Sequence, residues 1–261
     1  MRQNKNKKNK TEMTIPAAQH PIRRRIFLII AVPILTLLFL PRVISNKKKG
    51  RTGPMILISN HNSILDPVFL YINYRSKHLH WIAKESLFRI PLLTYFLCSF
   101  DIFPIDREAN DIQAAKRIIS ELKSEHIVGI FIEGGCTEGG DAVAHPPKST
   151  TIQLAIKRGI PIHLCSVTGK MRPFSRPKVI IGPKVLLSLR EGASLNKQTS
   201  LDISNELMRR VYNMGGEAYH NPEADRCQKV MSQNVSVTVL DDPFNLWDNT
   251  NEIRNEADIN N

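Results

Sequence analysis

A histidine and an aspartate five residues apart, His61 and Asp66 in Ser59-Asn60-His61-Asn62-Ser63-Ile64-Leu65-Asp66-Pro67, are the pair best suited to chemistry in this 261-residue chain. An imidazole titrates near neutrality, and a carboxylate beside it selects the tautomer that leaves the other ring nitrogen free to take a proton. On one regular helix the two side chains would point about 140° apart, so the pairing requires a turn followed by a helix start. Met55 to Ile58 is an apolar run that predicts a buried strand, and Asp66-Pro67 predicts a helix N-cap followed by the first helical residue. His61 then falls in the loop at the strand's end, where functional residues tend to sit. The plain alternative is a capping aspartate near an ordinary loop histidine.

Three further segments have chemical potential. Phe103-Pro104-Ile105-Asp106-Arg107 closes a short strand with an arginine whose planar fork suits a phosphate, against the simpler reading of an Asp106-Arg107 surface ion pair. Ile127 to Ile132 runs apolar into Glu133-Gly134-Gly135-Cys136-Thr137-Glu138-Gly139-Gly140, so backbone near Gly134 and Gly135 can approach a ligand, with Glu133 marking the strand's end. Its glycines lack the dinucleotide-binding spacing, and no Gly-Lys-Ser/Thr closes a phosphate loop. Lys148-Ser149-Thr150-Thr151 opens a helix, which makes Lys148 plus a helix N-terminus an anion seat, unless Ser149 or Thr150 simply caps.

These segments need a scaffold, and the chain alternates two hydrophobic periods after residue 50. Strands are expected at Met55 to Ser59, His78 to Ala83, Asp101 to Ile105, Ile127 to Glu133, Pro161 to Val167 and Lys178 to Ile181. Helices are expected at Pro67 to Tyr74, Pro91 to Cys98, Asp111 to Ser124, Thr150 to Lys157 and Ser200 to Tyr212. The alternation predicts an α/β fold, a mostly parallel mixed sheet covered by helices. Residues 1 to 20 have the polar, basic composition of a disordered leader, and the Asn- and Asp-rich stretch 221–261 reads as a poorly ordered tail.

The net charge of +12 is localised: residues 1 to 51 hold 13 Lys/Arg and one acid, leaving 23 basic and 23 acidic residues after them. A neutral body weakens a nucleic-acid reading, and no nucleic-acid partner is expected. Ile26 to Leu40 is uncharged between Arg23-Arg24-Arg25 and Arg42, Lys47 to Lys49 and Arg51. It predicts an N-terminal membrane-anchoring helix over 26–44 after a leader at 1–25, either crossing or lying in the interface of an anionic cytoplasmic leaflet. The basic residues after the run, and the missing small-residue pattern, argue against a cleaved signal. Cys98, Cys136, Cys165 and Cys227 are scattered and read as free thiols, with no zinc-type spacing and no metal expected.

Taken in order, the blocks resemble the glycerolipid acyltransferase family, typified by 1-acyl-glycerol-3-phosphate (lysophosphatidate) acyltransferases, over roughly residues 50 to 185. The family's His-x4-Asp block corresponds to His61 through Asp66, with Asn60 typical of the preceding position. Phe103-Pro104-Ile105-Asp106-Arg107 is similar to its second block, Phe131-Ile132-Glu133-Gly134-Gly135-Cys136-Thr137 to its third and Ile160-Pro161-Ile162 to its fourth. The third block departs from the usual Phe-Pro-Glu-Gly-Thr-Arg-Ser: Cys136 stands where many members carry an arginine implicated in binding the acceptor phosphate. His163 after the fourth block reads as a strand side chain.

The resemblance implies an acyltransferase domain over 50–220, on the cytoplasmic face of a membrane, that needs no cofactor. It implies acyl-CoA or acyl carrier protein as donor, a lysophospholipid acceptor and an anionic bilayer as partner. His61 is expected as general base oriented by Asp66, and Asn60, Arg107, Glu133, Gly134, Gly135 and Lys148 as substrate-binding residues. Leu92-Leu93 and Tyr95-Phe96-Leu97 are candidate acyl-channel residues. Alternatives are a lipid-binding protein that has lost turnover, an enzyme using a non-phosphate acceptor such as a lyso-ornithine lipid, and a serine hydrolase, which the absence of Gly-x-Ser-x-Gly disfavours.

Overall fold

The computed structural model describes residues 21–45, 51–74, 76, 78–99, 102–105, 111–137, 139–242 and 244–249. Along the chain run α1 (Pro21–Phe39), β1 (Arg42–Ile44), β2 (Met55–Ser59), α2 (Asp66–Tyr74), β3 (Leu79–Lys84), α3 (Pro91–Ser99), β4 (Phe103–Ile105), α4 (Asp111–Lys123) and β5 (Ile127–Ile130). There follow β6 (Gly140–Asp141), α5 (Ser149–Arg158), β7 (Ile162–Thr168), β8 (Lys178–Leu189), α6 (Lys197–Gly215), β9 (Tyr219–His220), α7 (Ala224–Asn234), β10 (Val235–Asp241) and α8 (Leu246–Asn249).

The main sheet has the order β1-β8-β7-β2-β5-β3-β4, with β10 also pairing β8. From β7 to β4 all neighbours are parallel, whereas β8 is antiparallel to β7 and to β10. The mixed, mostly parallel sheet expected from the alternation is therefore present. Strand β2 lies in its middle and is buried throughout, which is why its sequence is a continuous apolar run. Its alternate residues feed two cores: Ile56 and Ile58 pack toward α4, α5 and α6, while Met55 and Leu57 pack with Trp81, Phe131 and the α2 residues Phe69, Leu70 and Tyr74.

Two expectations need correction. β5 stops at Ile130, so Glu133 stands in the following turn and not at the strand's end. The stretch after Asn221 is not a loose tail up to residue 249: α7 buries Cys227 and Met231 one turn apart, and β10 pairs with β8 from Val235↔Leu189 onward. Its Val-Ser-Val-Thr-Val alternation is a strand pattern hidden within an Asn- and Asp-rich composition, and it covers an edge of β8 that would otherwise be unpaired.

At the N-terminus the crossing alternative lacks support. A helix does form at α1, with Pro33 inside it, but among the described residues no helix is long and apolar enough to cross a membrane. Its C-terminal end is tied to the domain: Phe39 meets Phe69 edge-on at 5.3 Å, and the carbonyls of Leu38 and Phe39 accept from the N–H groups of Phe174 and Arg176. Ile29, Ile30, Ile34 and Leu37 remain exposed.

Candidate active site

The loop after β2 is built before His61 is reached. Asn60 is fully buried; its Nδ2 donates to the Val167 carbonyl at 2.8 Å and its Oδ1 accepts the Val167 N–H at 2.9 Å. The side chain thus continues the β2–β7 ladder past the strand's end. Expected to bind substrate, Asn60 instead has both polar groups engaged by backbone and holds the loop.

His61 Nδ1 faces Asp66 Oδ2 at 3.4 Å, a long contact of the kind that tightens when a site is occupied. Asp66 does not cap its helix forward. The same Oδ2 accepts the Ser63 N–H at 2.7 Å, so the carboxylate reaches back over the loop that presents the imidazole. Asp66 is fully buried, and its Oδ1 has no hydrogen-bond partner among the described residues. Burial pushes its carboxyl above the usual carboxylate range, opposed by His61 and by the Ser63 and Asn62 N–H groups.

The imidazole is fixed from beneath by a stack of rings. His61 lies on Phe131 at 4.1 Å between centroids and 18° between planes, and Phe131 lies on Trp81 at 4.7 Å and 6°. Trp81 fits there because β5 carries Gly129, where a Cβ would sit 2.5 Å from the indole. A glycine inside an apolar strand signals this kind of close approach, although it does not say which ring fills the space.

The Gly-rich segment grips the backbone of His61 at both of its polar groups. Glu133 Oε2 accepts the His61 N–H at 3.0 Å, and the Thr137 N–H donates to the His61 carbonyl at 2.8 Å. Glu133 Oε1 accepts from the Tyr212 hydroxyl at 2.7 Å, and that hydroxyl also lies 3.1 Å from Asn62 Oδ1. Asn62 Nδ2 donates in turn to Glu217 Oε2 at 3.1 Å. Burial raises the Glu133 carboxyl, while Tyr212 and the His61 N–H favour its charge. Glu133 is 5% exposed, so it holds the His61 backbone; direct contact with a substrate does not fit its burial. Tyr212 and Glu217, contributed by α6 and the residue after its cap, escaped the sequence reading because they lie 150 and 155 residues beyond Asn62.

Gly134 has φ of 80° and donates its N–H to the Phe131 carbonyl at 3.1 Å, so that N–H is engaged within the loop. Gly135 is exposed, and a Cβ there would meet nothing within 4 Å, so a ligand can approach its backbone. Cys136 places Sγ 3.5 Å from His61 Nε2. Burial of the thiol and the carboxylates of Asp66 and Glu133 push it up to about 11, so it is protonated at neutral pH and a poor nucleophile.

Lys148 is exposed at the N-cap of α5, where its own side chain makes no capping hydrogen bond, and its N–H donates to the Ile132 carbonyl at 2.7 Å. It rims a cavity of about 100 Å³ whose wall includes Phe131, Gly134, Ile105, Ala114 and Ile118. That cavity differs from the expected channel: Leu93 and Leu97 do not line it, and the side chains of Leu92, Tyr95 and Phe96 lie outside the described residues, as does Arg107. His163 is buried, with Nδ1 2.7 Å from the Tyr74 hydroxyl and Nε2 3.1 Å from the Gly182 carbonyl, as befits a strand side chain.

A family model described as acyltransferase matches residues 41–168, which contain His61, Asp66 and the Gly-rich loop. Over that stretch, just under half of its 261 residues, the chain is similar to the acyltransferase family. It is 32% identical over 92 residues to a 1-acyl-sn-glycerol-3-phosphate acyltransferase of Helicobacter pylori, covering 34% of this chain and 38% of that relative. A Bacillus subtilis protein of the same name is 32% identical over 79 residues, covering 30% of this chain and 40% of the relative. The matched stretches thus span well under half of these acyltransferases. The crystal structure of the 1-acyl-sn-glycerophosphate (LPA) acyltransferase PlsC from Thermotoga maritima shares the fold, with a TM-score of 0.52 and 18% identity over 76% of this chain and 81% of that one.

Proposed function

We propose that this protein is a membrane-associated O-acyltransferase that moves a fatty acyl group from acyl-CoA or acyl carrier protein to the hydroxyl of a lysophospholipid. The acceptor we favour is 1-acyl-sn-glycerol 3-phosphate, the product then being phosphatidic acid. The names of the two curated relatives support that choice. One observation carries the catalytic reading: the Gly-rich segment holds both backbone polar groups of His61 while Asp66 faces its Nδ1.

In this reading Asp66 keeps the Nδ1 proton in place, and Nε2 takes the proton of the acceptor hydroxyl as its oxygen attacks the thioester carbonyl carbon. The tetrahedral intermediate collapses by breaking its C–S bond, and the imidazolium returns the proton to the departing thiolate. No acyl-enzyme is required, in keeping with a protonated Cys136 thiol. The open backbone at Gly135 and the first turn of α5 with Lys148 are the groups offered to the oxyanion and to the acceptor phosphate. The apolar cavity beside Phe131 and Gly134 takes part of an acyl chain.

We place this site against the cytoplasmic leaflet. Strands β2 and β7 are parallel, so the loop bearing His61 and the loop after Thr168 leave the sheet at one end. The latter loop holds the end of α1, bringing the exposed Ile29, Ile34 and Leu37, together with exposed Phe174, to that end of the molecule. An apolar helix end lying in the interface uses such a surface without spanning the bilayer.

Membranes containing the protein, incubated with labelled acyl-CoA and a panel of lysophosphatidate, other lysophospholipid and ornithine-type acceptors, test the reaction. Label should pass to lysophosphatidate, and His61→Ala should lower turnover by about 10²- to 10⁴-fold in a folded protein. Wild-type turnover in that variant rejects the assignment of the base. A second reading, an acceptor without phosphate, is favoured by the neutral Cys136 beside His61. Arg107→Ala and Lys148→Ala decide between the two: a raised KM for lysophosphatidate supports the phosphate acceptor, and unchanged acceptor kinetics support the alternative.

A further inference from the structure

We infer that His80, Glu121 and His126 form a binding site for a divalent transition metal of the zinc type, at the end of the parallel strands opposite His61. His80 is the second residue of β3, Glu121 lies in the last turn of α4, and His126 immediately precedes β5. His80 Nδ1 is 3.0 Å and His126 Nδ1 2.8 Å from one and the same oxygen, Glu121 Oε2. The donor atoms of all three residues lie within 4.8 Å of one another. Two donors each about 2.1 Å from a tetrahedral ion are roughly 3.4 Å apart, so the three atoms already have the mutual spacing of ligands sharing one ion.

The cluster is also held in shape. Glu125, at φ 61°, turns the chain so that the His126 N–H donates to the Glu121 carbonyl at 3.1 Å, which ties two of the ligands together through backbone. Arg117 binds the other carboxylate oxygen, Glu121 Oε1, at 2.9 Å, and its guanidinium lies 4.9 Å over the Phe103 ring. Oε2 is left to point at the imidazoles, as outer partners do for metal-ligating carboxylates. The two imidazole rings are 3.9 Å apart, and that of His78 lies 6.3 Å from His126, a third imidazole near the cluster.

Two imidazoles and one carboxylate favour zinc, nickel or copper over magnesium and calcium, which prefer all-oxygen sites. Without metal, the two Nδ1 atoms face Oε2; with it, each ring carries its proton on Nε2 and turns its Nδ1 lone pair to the ion. A bound ion joins β3, α4 and β5 at one point and braces the helix whose Ala114, Ala115 and Ile118 wall the cavity.

The full chain, prepared without a polyhistidine tag and dialysed against chelator, is titrated with Zn²⁺ by calorimetry and with Co²⁺ by visible absorption. One equivalent should bind, Co²⁺ should give ligand-field bands, and Zn²⁺ should raise the melting temperature. His126→Asn, at a partly exposed turn, and Glu121→Gln should each weaken binding at least about tenfold, while Cys136→Ser leaves it unchanged. Circular dichroism of His126→Asn confirms that this variant is folded. Absence of one-to-one binding by the wild type overturns the proposal. So does binding that survives His126→Asn and Glu121→Gln but is lost in Cys136→Ser, which would place the ion at the other end of the sheet.

Discussion

The two ends of the parallel strands each carry an imidazole–carboxylate grouping, and the carboxylates are driven in opposite directions. At the C-terminal end Asp66 has one imidazole and two loop N–H groups around a fully buried side chain, and burial wins: its carboxyl is raised. At the N-terminal end Glu121 has two imidazoles and an arginine, and the partners win, taking it down to about 2. The sheet supplies the same backbone geometry at both ends. What differs is how many donors face each carboxylate, and hence which way its protonation is biased.

The largest expected effect is at Asp66. Asp66→Asn removes the negative charge that orients and balances the His61 imidazolium, and turnover should fall about 10²- to 10⁴-fold. Because burial already disfavours the ionised carboxyl, the melting temperature should hold or rise; a large loss of stability with normal turnover would invert the comparison. Next is His163, whose burial depresses it to about 4 from its ordinary 6.5. The unfolded chain takes up this proton as pH falls below about 6.5 and the folded chain does not until about 4, so stability should drop across that window by up to about 3 kcal/mol. Denaturant melts from pH 7 to 4 should show the slope, and His163→Gln should flatten it.

Tyr212→Phe leaves Glu133 and the ring stack in place but deletes the hydroxyl that bonds Glu133 and Asn62. Turnover should fall about tenfold, equivalent to loss of one hydrogen bond of about 1.4 kcal/mol, with KM little changed. The smallest effect is Glu121→Gln, which should leave turnover unchanged and cost about 1 kcal/mol at neutral pH, since two of its three partners are partly solvated. The Glu121 contribution is present above about pH 4.5 and is lost as pH falls toward about 2, below the His163 window. Titration of thermal stability in acid separates the two groups.

Most of the scaffold was legible in order along the chain. The periods of β2 and α4, the apolar run into the Gly-rich loop and the Asp66-Pro67 helix start all express local rules, and each element formed within a few residues of its expected place. One misreading came from composition overriding pattern: β10 lies in an Asn- and Asp-rich stretch. Within the site, His61 and Asp66 were visible because they are five residues apart on one loop and helix start. Asn60 and Glu133 were visible as residue types and misassigned as binding groups, because whether a polar side chain meets a ligand or a backbone depends on what lies across the sheet.

From its order of residues alone this chain determines that a histidine follows a central buried strand, that an aspartate opens the next helix, and that a glycine-rich bend follows another strand. Such choices are local, governed by periodicity, capping and backbone permissiveness. Only the tertiary structure decides that this bend clamps the histidine's backbone, that Tyr212 of α6 braces the clamp, and that His80 meets Glu121 and His126 at the far end. Those contacts join residues dozens of positions apart through strand order and helix packing, and no local propensity specifies which distant side chain arrives at a given place.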